Sequence, residues 1–226
     1  MDHWYKSDLG NNASKLAEVV SKYSNSEFVD LGVRTGVSSE ILLDGAEERG
    51  NHVYGVDLDF TLCPISDENP RYTKILGDSV SVGRRWEGGK ISGIFFDTLH
   101  TKFQVMCELR YWWPHLKSKC FLAFHDSAWP EGKHDVINGV KYDRVEEGIK
   151  SFFGVKKMHH KDTSMSMSTY PDSWGMTIVE IKKKKDYASK FKGWDSVLEE
   201  RNGCISSLYH HDNQEGLILD RIIPNV

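Results

Sequence analysis

Short runs of apolar, β-branched and aromatic residues alternate along this chain with longer stretches of helical period. Runs at Glu27–Leu31 (EFVDL), His52–Asp57 (HVYGVD), Tyr72–Leu76, Ile91–Asp97 (ISGIFFD), Lys119–His125 (KCFLAFH), Phe152–Met158 and Gly175–Ile181 (GMTIVEI) predict strands. Val37–Arg49, Ser79–Trp86, Thr101–Leu116 and Gly139–Phe152 carry the spacing of helices. Around Ile94 and Leu122 the runs are apolar on successive residues, as in strands covered on both faces. The alternation predicts an open, mostly parallel α/β sheet with helices on both sides. No internal repeat or low-complexity block interrupts it. The lysine run Lys182–Lys185 reads as a solvated exit from the last strand. The chain is therefore divided into one domain over residues 1–181 and a C-terminal extension over 182–226, a tail docked on the domain or on a second subunit.

Composition narrows the class. With 226 residues, 39% hydrophobic and 27% charged, the chain can bury a core that needs neither disulfides nor metal. No apolar run approaches the roughly 20 residues needed to cross a bilayer, and the opening MDHWYKSDLGNN is too polar for a signal peptide. Cys63, Cys107, Cys120 and Cys204 are widely spaced and form no CxxC, which suits reduced thiols. A cytoplasmic protein without membrane contact is expected. The formal net charge of −4 gives no overall basic field to recruit nucleic acid.

Candidate chemistry begins at the first predicted turn, Asp30-Leu31-Gly32-Val33-Arg34-Thr35-Gly36. Gly32 permits a tight turn, Gly36 lets the following helix start close to the strand, and that start offers N–H groups to a polar ligand. The spacing is not G-x-G-x-x-G, and Arg34 stands where a pyrophosphate would need glycine, which disfavours nicotinamide and flavin. Asp57 ends the second strand near the offset at which an acid accepts bonds from ribose hydroxyls, and Asp78 and Ser79 follow the third. Singly, each acid reads equally well as a turn residue or a helix cap. Together, acids at three successive strand ends favour an adenosyl ligand.

On FVDLGVRTGVSSEILL (Phe28–Leu43), VYGVDLD (Val53–Asp59), ILGDS (Ile75–Ser79), IFFDTLHT (Ile94–Thr101) and FLAFHDSAW (Phe121–Trp129), the chain resembles the class I S-adenosylmethionine-dependent methyltransferases. The resemblance covers Phe28 to about Ile181. It implies a Rossmann-like seven-stranded sheet, mostly parallel with an antiparallel last strand. It also implies that Asp30, Gly32, Arg34, Thr35 and Gly36 face the methionine part of S-adenosylmethionine, Asp57 the ribose, and Asp78 with Ser79 the adenine, with Asp97 beside the ligand. Arg34 departs from the family's usual glycine.

Asp97 ends the fourth strand, His100 follows, and His125-Asp126 end the fifth. In a parallel sheet these ends share one edge. Two carboxylates with imidazole suit a hard divalent ion such as magnesium or manganese, and an imidazole can take a hydroxyl proton. The bland alternative is strand-end carboxylates that cap helices. The pattern is most similar to the branch containing macrocin-type sugar O-methyltransferases and cephalosporin-hydroxylase-like proteins. That likeness implies His100 and Asp97 as catalytic residues and Asp97, His125 and Asp126 as ligands for Mg2+ or another divalent cation. Histidine at 125 replaces the branch's glutamate, and Ser127 stands where catechol-type enzymes carry asparagine.

The expected activity is methyl transfer from S-adenosylmethionine to a hydroxyl of a small molecule or glycan. Alternatives are a nucleic-acid or protein methyltransferase of the same fold, or a non-catalytic adenosyl-ligand binder. Asp59–Arg71 and Ser127–Lys141, each after a strand, read as lids or solvated loops. Trp129 and Trp174 are candidates for stacking on an acceptor, Tyr111-Trp112-Trp113 reads as core, and His159-His160 and His210-His211 read as surface pairs. A homo-oligomer is compatible with the extension.

Overall fold

The structure, a computed structural model, describes residues 9–44, 50–128, 136–137, 140–141, 144–190 and 192–209. In chain order the elements are α1 (Asn12–Val20), β1 (Glu27–Leu31), α2 (Val37–Asp44), β2 (His52–Asp57), β3 (Tyr72–Leu76), α3 (Ser79–Arg84), β4 (Ile91–Phe96) and α4 (Lys102–Trp112). They continue with β5 (Leu116–His125), β6 (Val136–Ile137), β7 (Val140–Lys141), α5 (Val145–Phe153), β8 (His160–Lys161), β9 (Met165–Tyr170), β10 (Met176–Ile181) and α6 (Trp194–Tyr209). Eight strands form one sheet in the order β3-β2-β1-β4-β5-β10-β9-β8. β1 to β5 pair in parallel, and β10 runs antiparallel between β5 and β9. The Rossmann-like methyltransferase sheet expected from the sequence is thus present, with the two-residue β8 as an eighth, edge strand.

Successive strand residues feed opposite cores. In β5, Cys120, Leu122 and Phe124 pack on the side of α4 and α5, whereas Phe121 and Ala123 pack on the side of α1 and α2. Every residue of β4 is buried, which is why the sequence is apolar there without alternation. No helix among the described residues is long and apolar enough to cross a membrane. Cys63, Cys107 and Cys120 are buried free thiols.

The sequence misplaces the end of the sheet. Phe152–Met158 is not a strand: Val145, Ile149, Phe152 and Phe153 are the buried stripe of α5, which stops at Gly154 in the left-handed conformation (φ 67°). The strand that fills that place is β9 (MSMSTY), where buried Met165 and Met167 alternate with half-buried serines. The helix expected over Thr101–Leu116 ends at Trp112 and passes through a 3₁₀ turn containing Pro114 into β5. Of Val37–Arg49, residues 45–49 lie outside the described residues. Trp112 and Trp113 are buried, with Trp112 Nε1 donating to the Ser79 carbonyl at 2.9 Å.

Candidate functional site

A single cavity of about 840 Å³ opens along the C-terminal edge of the parallel strands. Its wall runs from the β1–α2 turn past Asp57 and Asp78 to Asp97, His100, His125 and Asp126, and it is closed on one side by Ser173 and Trp174. The parallel order of β3-β2-β1-β4-β5 brings these strand ends together, although up to about a hundred residues separate them in sequence.

Local chemistry shapes the first turn. Gly32 has φ +88°, and a Cβ there would lie 2.0 Å from the Asp97 carbonyl oxygen. Only glycine lets the end of β1 approach the end of β4 so closely. Arg34 is also left-handed, at φ +47°, and its N–H donates to Asp57 Oδ2 at 2.8 Å. The loop therefore takes a shape that glycine would adopt more cheaply, without glycine. Arg34 and Thr35 are exposed on the cavity wall, whereas Gly36 sits behind it with φ +78°.

Asp57 accepts from the N–H groups of Arg34 and Asp59, at 2.8 and 3.1 Å. An ionised carboxylate has about four acceptor positions, so Asp57 retains capacity for hydroxyl donors. Asp78 caps α3, its Oδ2 accepting from the Ser81 N–H at 2.8 Å, while Oδ1 accepts from Arg201 Nη2. Ser79 Oγ donates to Glu108 Oε1 at 2.6 Å.

Asp30 departs from the expectation that it faces the ligand. It is fully buried and is not part of the cavity wall. Its Oδ2 accepts from the hydroxyls of Ser38 and Ser39, which ties the start of α2 to β1. Burial pushes its carboxyl up to about 7, with Asp97 and Asp57 adding to the rise and the two serine hydroxyls opposing it.

The four residues at the ends of β4 and β5 do converge. His100 Nε2 lies 3.2 Å from Asp97 Oδ1 and 2.9 Å from Asp126 Oδ2. His125 Nδ1 lies 3.3 Å from each of the same two oxygens. Burial alone would disfavour charge on either ring. The hydrogen bonds and negative charge of Asp126 and Asp97 overcome it and raise both imidazoles to about 10. Burial works against the ionised acids as well, yet the histidine hydrogen bonds hold Asp97 and Asp126 below the usual carboxylate range. Asp126 sits at φ +53°, a conformation aspartate tolerates, at the point where the chain leaves β5.

Ligand atoms of Asp97, His100 and Asp126 all lie within 4.8 Å of one another. Two carboxylates and an imidazole nitrogen at this spacing are a donor set that fits a hard divalent cation. The expected set of Asp97, His125 and Asp126 shares its two acids with this one, since both rings face the same carboxylate oxygens. His125 is 4% exposed, its Nδ1 turned to both carboxylates and its Nε2 buried with no hydrogen-bond partner among the described residues. Ser127 points away, its Oγ 2.8 Å from Thr177 Oγ1.

At the rim, Ser173, Trp174 and Gly175 all have positive φ and form the tight β9–β10 turn. That turn is held by Ala128 N–H to the Trp174 carbonyl, at 2.9 Å, and by Asn11 N–H to Asp172 Oδ2, also at 2.9 Å. Trp174 stays 46% exposed over the cavity, as its sequence position suggested. Trp129, residues 129–135 of the second long loop, and His210-His211 lie outside the described residues. Gln104, Glu108 and Arg201 escaped the sequence reading. Gln104 and Glu108 carry a weak signal, as polar residues four apart on the buried side of α4, but Arg201 carries none.

The fold and the site together define a class, a doubly wound sheet with a large cavity at the carboxyl ends of its strands. Residues 29–127 match the model of a family described as a methyltransferase domain. The resemblance to class I S-adenosylmethionine-dependent methyltransferases is borne out. A methyltransferase from Podospora anserina, PaMTH1, solved with S-adenosylhomocysteine, superposes with a TM-score of 0.54 at 12% identity, over 76% of this chain and 78% of its own. CalS10, an amino pentose methyltransferase of calicheamicin biosynthesis from Micromonospora echinaspora solved with S-adenosylmethionine, gives 0.53 at 12%, over 79% and 92%. An O-methyltransferase from Bacillus cereus in complex with S-adenosylhomocysteine gives 0.53 at 15%, over 76% and 80%. At these identities the likeness establishes the fold. No curated protein matches the chain by sequence.

Proposed function

We propose that this protein transfers a methyl group from S-adenosylmethionine to a hydroxyl of a small molecule or glycan, with a divalent cation at the acceptor end. One observation carries the reading: a single cavity joins the β1–α2 turn and Asp57 to the Asp97, His100 and Asp126 cluster. It has room and polar groups for both donor and acceptor. The methyltransferase-domain match and the ligand-bound structural neighbours support the donor, and the neighbours named as O-methyl and amino-sugar methyltransferases support the acceptor class.

The sulfonium methyl is already activated, so the protein's task is orientation and release of a hydroxyl proton. Asp57 accepts from the ribose hydroxyls, and the Gly32–Gly36 turn seats the methionine part. Asp97 and Asp126 would hold the cation, with His100 Nε2 within reach as a third ligand. When bound, a divalent cation supplies charge that lowers the pKa of an acceptor hydroxyl. His100 offers one lone pair from a neutral ring: as a ligand it cannot also take that proton, and where the two carboxylates alone hold the cation it is the base that removes it. With only the two carboxylates as neighbours the ring stays protonated at neutral pH. His125 Nδ1, also on the cavity wall, faces both carboxylates and orients them.

Calorimetric titration with S-adenosylhomocysteine, with and without magnesium, tests the reading beside Asp57→Ala. Micromolar binding that this variant loses, followed by magnesium-dependent methylation of a hydroxylated acceptor, is the expected result. Absence of binding in every condition overturns the proposal. Binding followed by methylation that EDTA leaves unchanged removes the cation from it.

A further inference from the structure

Arg201 lies 123 residues from Asp78 in sequence, on α6 and in the extension that sequence reading set apart from the domain. Its side chain is buried and forms part of the cavity wall beside Asp78. Nη2 donates to Asp78 Oδ1, and Nε donates to Gln104 Oε1 at 2.8 Å. Both partners are fixed in turn. Asp78 Oδ2 is held by the Ser81 N–H, and Gln104 Nε2 donates to Glu108 Oε1 at 2.8 Å. The helix itself is anchored where the Arg110 guanidinium stacks 4.7 Å over the Trp194 ring.

Burying a guanidinium beside a cavity is expensive, and an apolar side chain would dock α6 on α4 at least as well. The arrangement makes sense if the group meets a ligand. A guanidinium has five N–H donors in one plane. Among the described residues, Asp78 and Gln104 receive two bonds from it. The wall therefore offers a carboxylate acceptor next to a planar donor, both rigid.

We propose that Arg201 reads the purine edge of the adenosyl group together with Asp78, which makes the C-terminal helix part of the donor site. This rests on the methyltransferase reading above. Adenine presents an amino donor beside a ring-nitrogen acceptor, which complements Asp78 accepting and Arg201 donating. Hypoxanthine presents a carbonyl acceptor beside an N–H donor, the reverse order. A buried array of this kind rejects the ligand whose polar groups do not match it.

The test is calorimetric titration of the full-length chain, unaltered and as Arg201→Met and Arg201→Lys, with S-adenosylhomocysteine and S-inosylhomocysteine. The unaltered protein should prefer the adenosyl compound. Arg201→Met should weaken it by about ten- to hundredfold, the scale of a lost hydrogen bond to a charged group, and should affect the inosyl compound less. Arg201→Lys, which keeps the charge but not the planar fork, should fall between. Circular dichroism melts identify folded variants. If Arg201→Met does not fold, the preference ratio of Arg201→Lys decides. A folded variant that keeps the original ratio, whether by binding both ligands normally or by losing both equally, overturns the inference alone. No binding of S-adenosylhomocysteine by the unaltered chain overturns the methyltransferase reading and this inference with it.

Discussion

Asp30→Asn separates what holds the first turn from what touches the ligand. The Asp30 carboxyl is fully buried, accepts two serine hydroxyls at Oδ2, has no partner at Oδ1 among the described residues, and is pushed up by burial to about 7. A carboxyl raised in the fold above its ordinary value of 3.8 favours the folded state while protonated. That contribution is complete below the unfolded value and is lost as pH climbs through the folded one. The rise spans about three powers of ten in acidity, each worth about 1.4 kcal/mol, so ionisation costs the fold about 4 kcal/mol by pH 8. More than a third of that is already lost at pH 5. The amide keeps the shape, cannot ionise, and the serine hydroxyls can turn to accept from it. Urea denaturation at pH 5, 6, 7 and 8 should show the variant gaining on the unaltered protein by about 2–3 kcal/mol across that range. S-adenosylhomocysteine affinity should stay within about threefold, because Asp30 lies behind the cavity wall and not on it. A stability difference that is the same at pH 5 and pH 8 refutes the buried-charge argument. Loss of ligand binding with stability retained refutes the placement of Asp30 behind the wall.

Two further expectations concern the cavity itself. Gly32→Ala should destabilise the protein by more than about 3 kcal/mol, since it adds a left-handed alanine to a 2.0 Å overlap with the Asp97 carbonyl. By displacing Asp97 it should also abolish any magnesium effect on binding or turnover, and a near-normal urea midpoint would contradict the close strand approach. Trp174→Ala should leave the melting temperature nearly unchanged, because the ring is 46% exposed. If the ring stacks on the acceptor, KM for that acceptor should rise about tenfold while donor affinity holds, and an unaltered KM removes Trp174 from the acceptor site.

What the sequence discloses depends on how local the physics is. β1, β4 and the second half of β5 are apolar on adjacent residues because both sheet faces are covered, so their pattern survives without knowledge of partners. Once strand order is known to be parallel, Asp57, Asp97, His100 and Asp126 fall on one edge, and their convergence follows from topology. β9 was lost because its alternate positions are methionine and serine, weak in hydropathy though correct in period. α1 also went unread, although Ala13, Leu16, Val19 and Val20 make a clear stripe, because its sequence NASKLAEVV is short and half polar. Asp30 looked like a ligand-facing acid because chain position does not tell which face of a strand end meets the following helix. Spacing likewise places both His100 and His125 at the sheet edge, and only side-chain direction shows how each ring meets the two carboxylates. Arg201 depends on where a helix docks after the whole sheet has formed.

The wall around Trp174 is assembled from three separate stretches of chain: residues 9–11, the exit of β5, and the β9–β10 turn, joined through Asp172, Ala128 and Asn11. None of these stretches contributes to the β1–α2 turn or to the ends of β2 and β3, where the proposed donor site lies. The molecule is thereby partitioned like a tool with a fixed grip and an exchangeable jaw. On the proposed reading, substitutions in the hairpin should retune acceptor choice while the methyl-donor half stays as it is, and that makes residues 171–175 the natural place to begin a library aimed at new acceptors.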